Sequence, residues 1–410
     1  MFLDLLRRRN PALIDAAIVL HQQGELPANT YVFDLDAVTA NAAAIAAEAS
    51  RLGLTPLAMT KQFGRNPDVC RAVLAGGIEA SVAVDMACAR ATTRAGMRLG
   101  HLGHLVQVPA AEAGEAAALA PDHWTVFSHE KARGAAAAAA AIGGDQAFLA
   151  RIHDPADQFY PGHEGGFPAA EIRAVADALN SFDGGHFAGI TTFPALLFDQ
   201  RSAAVVPTHN LATLERAAAE LAAAGYGDVH VNAPGTTSAA TLARLADSGA
   251  THVEPGHGLT GTTPLHARHD LVELPAGCYL SEVSHVYGGR AYCFGGGMYV
   301  DPVFPDYDVR AVVGRAPEAT DLVPAELPPP QAIDYYGQLD LTSRPGGAGR
   351  TVDAGDSVVF GFRFQAFVTR AYTAGVTGVS SGRPRVAGLW SADGTPTWSP
   401  DPAGGKGAHQ

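Results

Sequence analysis

The sequence predicts a (β/α)8 barrel followed by a second, mostly antiparallel β domain. Three observations predict it. Short apolar runs of strand character alternate with amphipathic helical stretches, roughly eight or nine times over about 235 residues. Such alternation builds a parallel sheet, and this count and length suit a closed barrel better than an open sheet. No G-x-G-x-x-G follows the first strand, which lowers the case for a dinucleotide-binding fold. After about residue 265 the helical periodicity fades, and β-rich runs such as Tyr279 to His285 and Ser357 to Phe360 are separated by Gly and Pro clusters. The expected division is a helical segment over 1–28 packing with the β domain, a barrel over 29–265, a β domain over 266–400 and a flexible tail over 401–410.

Residues 1–26 read as two helical pieces, with Asn10 as N-cap and Pro11 at the first helical position of the second. Tyr31 to Asp34 is a short strand. Asp36 is expected to cap a helix that places Val38, Ala42, Ile45, Ala49 and Leu52 on one face. The run ending at Lys61 is the next strand, broken by Gly64 and Asn66-Pro67 before a helix to Leu74. Glu79 to Val84 is a strand, and a helix starts near Asp85. Strands follow over Leu99 to Leu105 and His123 to Ser128, with an Ala-rich helix from Lys131 to Ile142 behind the second. Gln146 to His153 is the next strand. A Gly-rich loop (Tyr160 to Phe167) leads to a helix from Pro168 to Leu179. Phe187 to Phe193, Asp228 to Val231 and His252 to Glu254 complete the strands, with helices over Leu211 to Ala224 and Thr237 to Ala246 between them.

With 28 Lys+Arg against 41 Asp+Glu, the net charge of −13 argues against nucleic acid or an anionic membrane as partner. Four widely spaced cysteines with no CxxC suit reduced thiols rather than a disulfide framework or a zinc site. No secretory signal and no run of about 20 apolar residues is present, so a cytoplasmic protein is expected. Histidines number 16, yet no HExxH or clustered His/Cys spacing appears, and no metal is expected.

Three features carry chemistry. Lys61 sits at the C-terminal mouth of a barrel strand, where a desolvated amine loses its charge readily and attacks carbonyls. Asn232 to Ser238 and Glu254 to Gly261 follow two late strands with small residues, hydroxyls and backbone N–H groups near helix starts. That is the composition of a phosphate cradle, where barrels commonly place one. Glu254 is a carboxylate at the end of an apolar strand, which is costly without a partner. A protonated pyridine nitrogen is such a partner, and the carboxylate would strengthen that ring as an electron sink. Lysine early, cradle late and acid at the last strand together describe a pyridoxal phosphate site.

On these residues the chain resembles the fold-type III pyridoxal-phosphate enzymes, the alanine racemase and ornithine decarboxylase superfamily. Lys61 matches its Schiff-base lysine, Thr237-Ser238 its phosphate-binding pair, and Glu254-Pro255-Gly256 the Glu-Pro-Gly of the decarboxylase branch. Ala371-Tyr372-Thr373 is similar to a decarboxylase Ala-Tyr-Thr whose tyrosine touches the phosphate. Longer stretches resemble the alanine racemase-like YhfX group: Thr60 to Pro67, Tyr160 to Gly166, Glu254 to His257, Ser284 to Arg290 and Phe360 to Arg363. The resemblance implies cofactor contacts from Lys61, Thr237, Ser238, Glu254, Gly256, His257, Gly258 and Tyr372. It also implies a homodimer with shared active sites. Three features depart from the superfamily. Thr191 to Pro194 offers no histidine to stack on the cofactor, Arg65 replaces the racemase tyrosine, and Tyr335 to Asp340 lacks the decarboxylase cysteine.

The reaction expected is racemisation or epimerisation of an amino acid, by abstraction of the Cα proton of an aldimine formed at Lys61. A second base is then needed on the opposite face, and His285, Tyr287 and Tyr336 are the candidates. Arg65, Arg290 and Arg363 are candidate forks for the substrate carboxylate, and His163 a candidate pocket residue. An α-decarboxylase of the ornithine/diaminopimelate type is the alternative, and a non-catalytic carrier of the cofactor a further one.

Overall fold

The computed structural model describes residues 1–299, 301–304, 306–329, 332–343 and 351–398. The expected tail over 401–410 lies outside the described residues. The chain divides into two compact units. One combines Met1–Asn41, Lys61–Ala72 and the chain from Leu259 onward. The other combines Ala42–Thr60 with Val73–Gly258.

The second unit is a barrel. Its strands are Thr55–Met59, Ala80–Ala83, Arg98–Leu102, His123–Val126, Gln146–His153, Gly185–Thr191, His230–Asn232 and His252–Val253. Each pairs in parallel with the next, and the last pairs with the first through His252 opposite Thr55, so the sheet closes. These runs are short, apolar and mostly buried, as strands covered on both faces must be. The helices between them start at caps written into the sequence. Asp85 accepts from the Cys88 N–H at 2.7 Å, and Ser128 from the Lys131 N–H at 3.2 Å. Ile172, Val175, Ala176 and Leu179 form the buried stripe of Ile172–Leu179. That helix begins later than its sequence suggests, because Ala169–Glu171 is a 3-10 turn.

The first unit is built on a ten-stranded sheet. Its order is Arg290–Phe294, Tyr336–Asp340, Thr320–Glu326, Arg310–Gly314, Ser357–Phe360, Gly277–Tyr287, Thr30–Asp34, Tyr372–Thr377, Arg385–Trp390 and Pro396–Trp398. Neighbours are antiparallel except for Thr30–Asp34 beside Tyr372–Thr377. Helix Pro11–Gln22 lays Leu13, Ile14, Ala17 and Ile18 into one core with Val32, Leu280, Val359 and Ala374. All four cysteines are buried, and none forms a disulfide. Among the described residues no helix is long and apolar enough to cross a membrane.

Three local expectations are corrected. Thr30–Asp34, read as the first barrel strand, belongs to the antiparallel sheet, between Gly277–Tyr287 and Tyr372–Thr377. An apolar run buried on both faces fits either kind of sheet, so its periodicity could not assign it. Asp34, not Asp36, caps the following helix, accepting from the N–H groups of Asp36 at 3.1 Å and Ala37 at 3.2 Å. Asn10 does precede Pro11–Gln22, but its side chain makes no cap and donates instead to Asp34 Oδ2 at 3.0 Å and the Pro275 carbonyl at 3.1 Å.

Candidate active site

In the barrel unit the chemistry gathers at the C-terminal ends of the strands. Glu254 is the first residue beyond His252–Val253 and is 4% exposed. Its Oε1 accepts from Asn232 Nδ2 at 2.8 Å and lies 2.7 Å from His101 Nδ1. His104 Nδ1 is 3.3 Å from Oε2, but Oε2 takes no hydrogen bond among the described residues. Burial pushes this carboxyl up, yet His104, His101 and Asn232 outweigh it and hold it down at about 2. Its charged form is thus favoured, with two donors on Oε1 and His104 beside Oε2.

The surroundings of Glu254 explain its orientation. Asn232 spends its other Nδ2 hydrogen on Thr191 Oγ1 at 3.0 Å, so its amide cannot swing away. His101 is fully buried, and its Nε2 rests on Thr125 Oγ1. Gly103, at φ +79 with the Thr125 carbonyl 3.2 Å from where a Cβ would stand, turns the chain. The turn brings His101 and His104, three residues apart, to one carboxylate. The three side chains lie within 4.8 Å of one another, a spacing that could also hold a metal ion. Strand-end histidines from one segment and a glutamate far along the chain gave no recognisable ligand motif in sequence.

Arg151 lies within the Gln146–His153 strand and is completely buried. Its guanidinium stands 5.2 Å from the Phe127 ring and 5.8 Å from that of Phe159. Nη2 donates to the His163 carbonyl at 2.9 Å, whereas Nε and Nη1 have no acceptor among the described residues. Burial pulls its pKa down to about 10, against the opposing pull of Asp157 and Glu254. A buried cation with two N–H groups to give is a site for an anionic oxygen. His163 sits over Phe193, ring centroids 6.0 Å apart, so the Gly-rich loop packs beside Arg151.

The two late loops meet as one wall. Thr237 and Ser238 are buried, and Ser238 is the N-cap of helix Ala239–Asp247. A Cβ on Gly258 would come 2.6 Å from the Thr237 carbonyl oxygen. Gly256, His257 and Gly258 form a buried turn, so the backbones approach as only glycine permits. Small residues at a helix start are of the kind that can cradle a phosphate.

In the other unit, Lys61 opens the 3-10 turn Lys61–Phe63, two residues beyond the end of Thr55–Met59. Its Nζ lies 5.3 Å from the centre of the Phe367 ring, and the Arg65 guanidinium lies 5.4 Å from the same ring. Asn66 then caps the next helix, accepting from the Asp68 N–H at 2.8 Å and the Val69 N–H at 3.1 Å. Its Nδ2 donates to Thr373 Oγ1 at 3.0 Å, beside Tyr372, which opens Tyr372–Thr377.

His285, Tyr287 and Tyr336 lie on one exposed face of the sheet. The His285 ring stacks on Tyr292 at 4.6 Å with Tyr336 edge-on at 5.3 Å, and Tyr287 is 75% exposed. Arg290 is spent on Glu326 and Gln338, both at 2.7 Å, which leaves it a poor candidate for a substrate carboxylate. Arg363 donates to the buried Asp301 at 3.0 Å. Sequence reasoning passed over His101, His104, Thr125 and Arg151. The signal was present: an arginine inside one apolar strand, and a histidine inside another with a second buried just beyond its end, are misplaced unless something needs them.

The family model of the alanine racemase N-terminal domain matches residues 33–264, and that of the YhfX-like C-terminal domain matches residues 278–386. The uncharacterised protein YhfX of Escherichia coli (strain K12) is 38% identical over 398 residues, covering 96% of this chain and 98% of that protein. Among solved structures, D-threonine aldolase from Filomicrobium marinum superposes with a TM-score of 0.64 at 18% identity, over 90% of this chain and 96% of that one. Alanine racemase of Clostridium difficile 630, complexed with cycloserine, gives 0.61 at 13% identity, over 90% and 99%. D-threo-3-hydroxyaspartate dehydratase from Delftia sp. HT23 gives 0.62 at 19% identity, over 88% and 97%. By sequence and by fold, the chain belongs to the YhfX-like group of the alanine racemase-like, fold-type III family, whose cofactor is pyridoxal phosphate.

Proposed function

We propose that this chain is a pyridoxal-phosphate-dependent enzyme that moves the Cα proton of an amino acid, as a racemase or epimerase. One observation carries the reading: the buried carboxyl of Glu254, whose Oε2 takes no hydrogen bond among the described residues and has only His104 Nδ1, at 3.3 Å, beside it. It suits a protonated pyridine nitrogen. The other residues fit the same group. Thr237, Ser238 and the Gly256–Gly258 turn suit its phosphate, and the open N–H groups of Arg151 suit an anionic oxygen. When bound, pyridoxal phosphate supplies an aldehyde that condenses with amines and a ring that takes up the charge left when a bond at Cα breaks. Lys61 is the amine assigned to carry it and to move a proton at Nζ. Glu254 would hold the ring nitrogen and favour its protonated form.

Racemisation also needs an acid/base on the opposite face. His285, Tyr287 and Tyr336 are proposed for it, from the partner subunit of a homodimer. The exposed aromatic residues on that face, Tyr287 at 75% and Phe294 at 36%, support a covered face there. The test is exchange of the Cα proton in deuterated water by the protein loaded with pyridoxal phosphate, followed over a panel of single-enantiomer amino acids. Exchange with loss of optical activity is expected. Glu254→Gln should lower the rate roughly 10²–10³-fold, the usual effect of removing one fixed electrostatic partner. A protein that exchanges no substrate Cα proton sinks the reading.

A second reading is cleavage of a bond to Cα by decarboxylation, aldol cleavage or elimination. The ionised state of Glu254 favours it, because a ring held protonated prolongs a carbanion beyond what racemisation needs. Release of CO₂, an aldehyde or ammonia without racemisation would decide for it.

A further inference from the structure

His101 makes no contact assigned to substrate or cofactor, yet it is the most constrained polar side chain near Glu254. It is 0% exposed and bonded at both ring nitrogens, Nδ1 to Glu254 Oε1 at 2.7 Å and Nε2 to Thr125 Oγ1. The Thr125 backbone is itself held, its carbonyl accepting from Gln107 Nε2 at 3.0 Å. The line Gln107–Thr125–His101–Glu254 therefore reaches from a loop to the Glu254 carboxylate.

We propose that His101, braced by Thr125, is a positioning residue that fixes Glu254 as a carboxylate with Oε2 forward, and so keeps the ring nitrogen of the bound cofactor protonated. The proposal rests on the pyridoxal phosphate reading above and deepens it. With a carboxylate as acceptor, Nδ1 carries the hydrogen, and the Thr125 hydroxyl can donate to Nε2. The imidazole then holds Oε1 together with Asn232, so two donors fix that oxygen. Without His101, Oε1 would keep one donor, and the buried carboxylate would lose an interaction that favours its charge. The other groups facing Glu254 are His104 on Oε2 and, at longer range, Arg151 and His252. These remain in the variants below.

The probe is pyridoxine 5′-phosphate labelled with ¹⁵N in the ring. It lacks the aldehyde and so cannot react with Lys61. Its ¹⁵N shift reports the ring proton directly, without turnover. In the wild-type protein the bound ring should stay protonated from pH 6 to 9. In His101→Leu the ring should lose its proton within that range, and the dissociation constant should rise about tenfold. His101→Asn returns an N–H near the Nδ1 position and should restore most of both. Thr125→Val, a milder change that leaves His101 in place, should shift the titration in the same direction by less. A folded His101→Leu protein whose bound ring stays protonated to pH 9 overturns the proposal. If His101→Leu does not fold, an unshifted titration in Thr125→Val overturns it. A wild-type protein that binds neither the probe nor pyridoxal phosphate overturns the underlying reading as well. Wild-type binding with an unprotonated ring overturns this inference and the role given to Glu254, and leaves cofactor binding itself standing.

Discussion

A guanidinium as deeply buried as that of Arg151 costs stability until an anion arrives. Its two aromatic neighbours and one good carbonyl partner repay part of the desolvation, and Nε and Nη1 repay none. Arg151→Met is therefore expected to leave the cofactor-free protein as stable as wild type or about 1 kcal/mol more so, as with other buried charges replaced by apolar groups. The same change should weaken pyridoxal phosphate binding. Urea unfolding with and without pyridoxal phosphate measures both at once. An equal ligand-induced gain in the two proteins would show that Arg151 does not serve that anion. Glu254 is the opposite case: a buried carboxyl whose charge His104, His101 and Asn232 favour against its burial.

At the scale of the element, the segment after Lys61 shows how a short turn is held in place. Asn66 satisfies two N–H groups at the start of helix Pro67–Ala75 and reaches Thr373 with its amide. Asn66→Ala should cost about 1–2 kcal/mol, the usual range for a lost N-cap with an added buried bond. Thermal unfolding measures the loss, and Asn66→Asp, which keeps the cap and loses the donor, should recover part of it. This turn was legible in sequence because Gly64 and Asn66-Pro67 are local signals. The barrel was legible for the same reason: its strands and helices repeat a local pattern, and Gln146–His153 falls where the pattern puts it. The assignment of Thr30–Asp34 was not legible, because choosing a sheet depends on partners some 250 and 340 residues away. The Glu254 environment was half legible. The acid stood out on its own strand end, whereas His101, Thr125 and Asn232 meet it only once the barrel closes.

For the whole molecule, the N-terminal ends of the barrel strands set a pH response. His123, His230 and His252 each open a strand there, with ring centroids 4.2 Å apart for the first pair and 4.6 Å for the second. An unfolded histidine takes up its proton near 6.5, whereas burial and the neighbouring histidines hold His123 down at about 3 and His252 down at about 4. Below 6.5 the unfolded chain binds protons that the folded chain refuses, so stability falls as pH drops from about 6.5 towards 4. Above 6.5 the trio is neutral in both states and adds no slope. Glu254 acts in a lower window, its stabilising charge complete above 4.5 and lost only as pH falls towards 2. Urea midpoints between pH 7.5 and 4.5 should decline, and His123→Asn should flatten the decline; an unchanged slope in that variant would count against the trio. The same whole-molecule view bears on synthesis at the ribosome. Thr30–Asp34 emerges early, but its sheet partners are Gly277–Tyr287 and Tyr372–Thr377. For most of translation this strand has both edges bare, an invitation to pair with another nascent chain. A fragment ending at residue 264 should therefore collect in the insoluble fraction and be rescued when residues 265–410 are co-expressed.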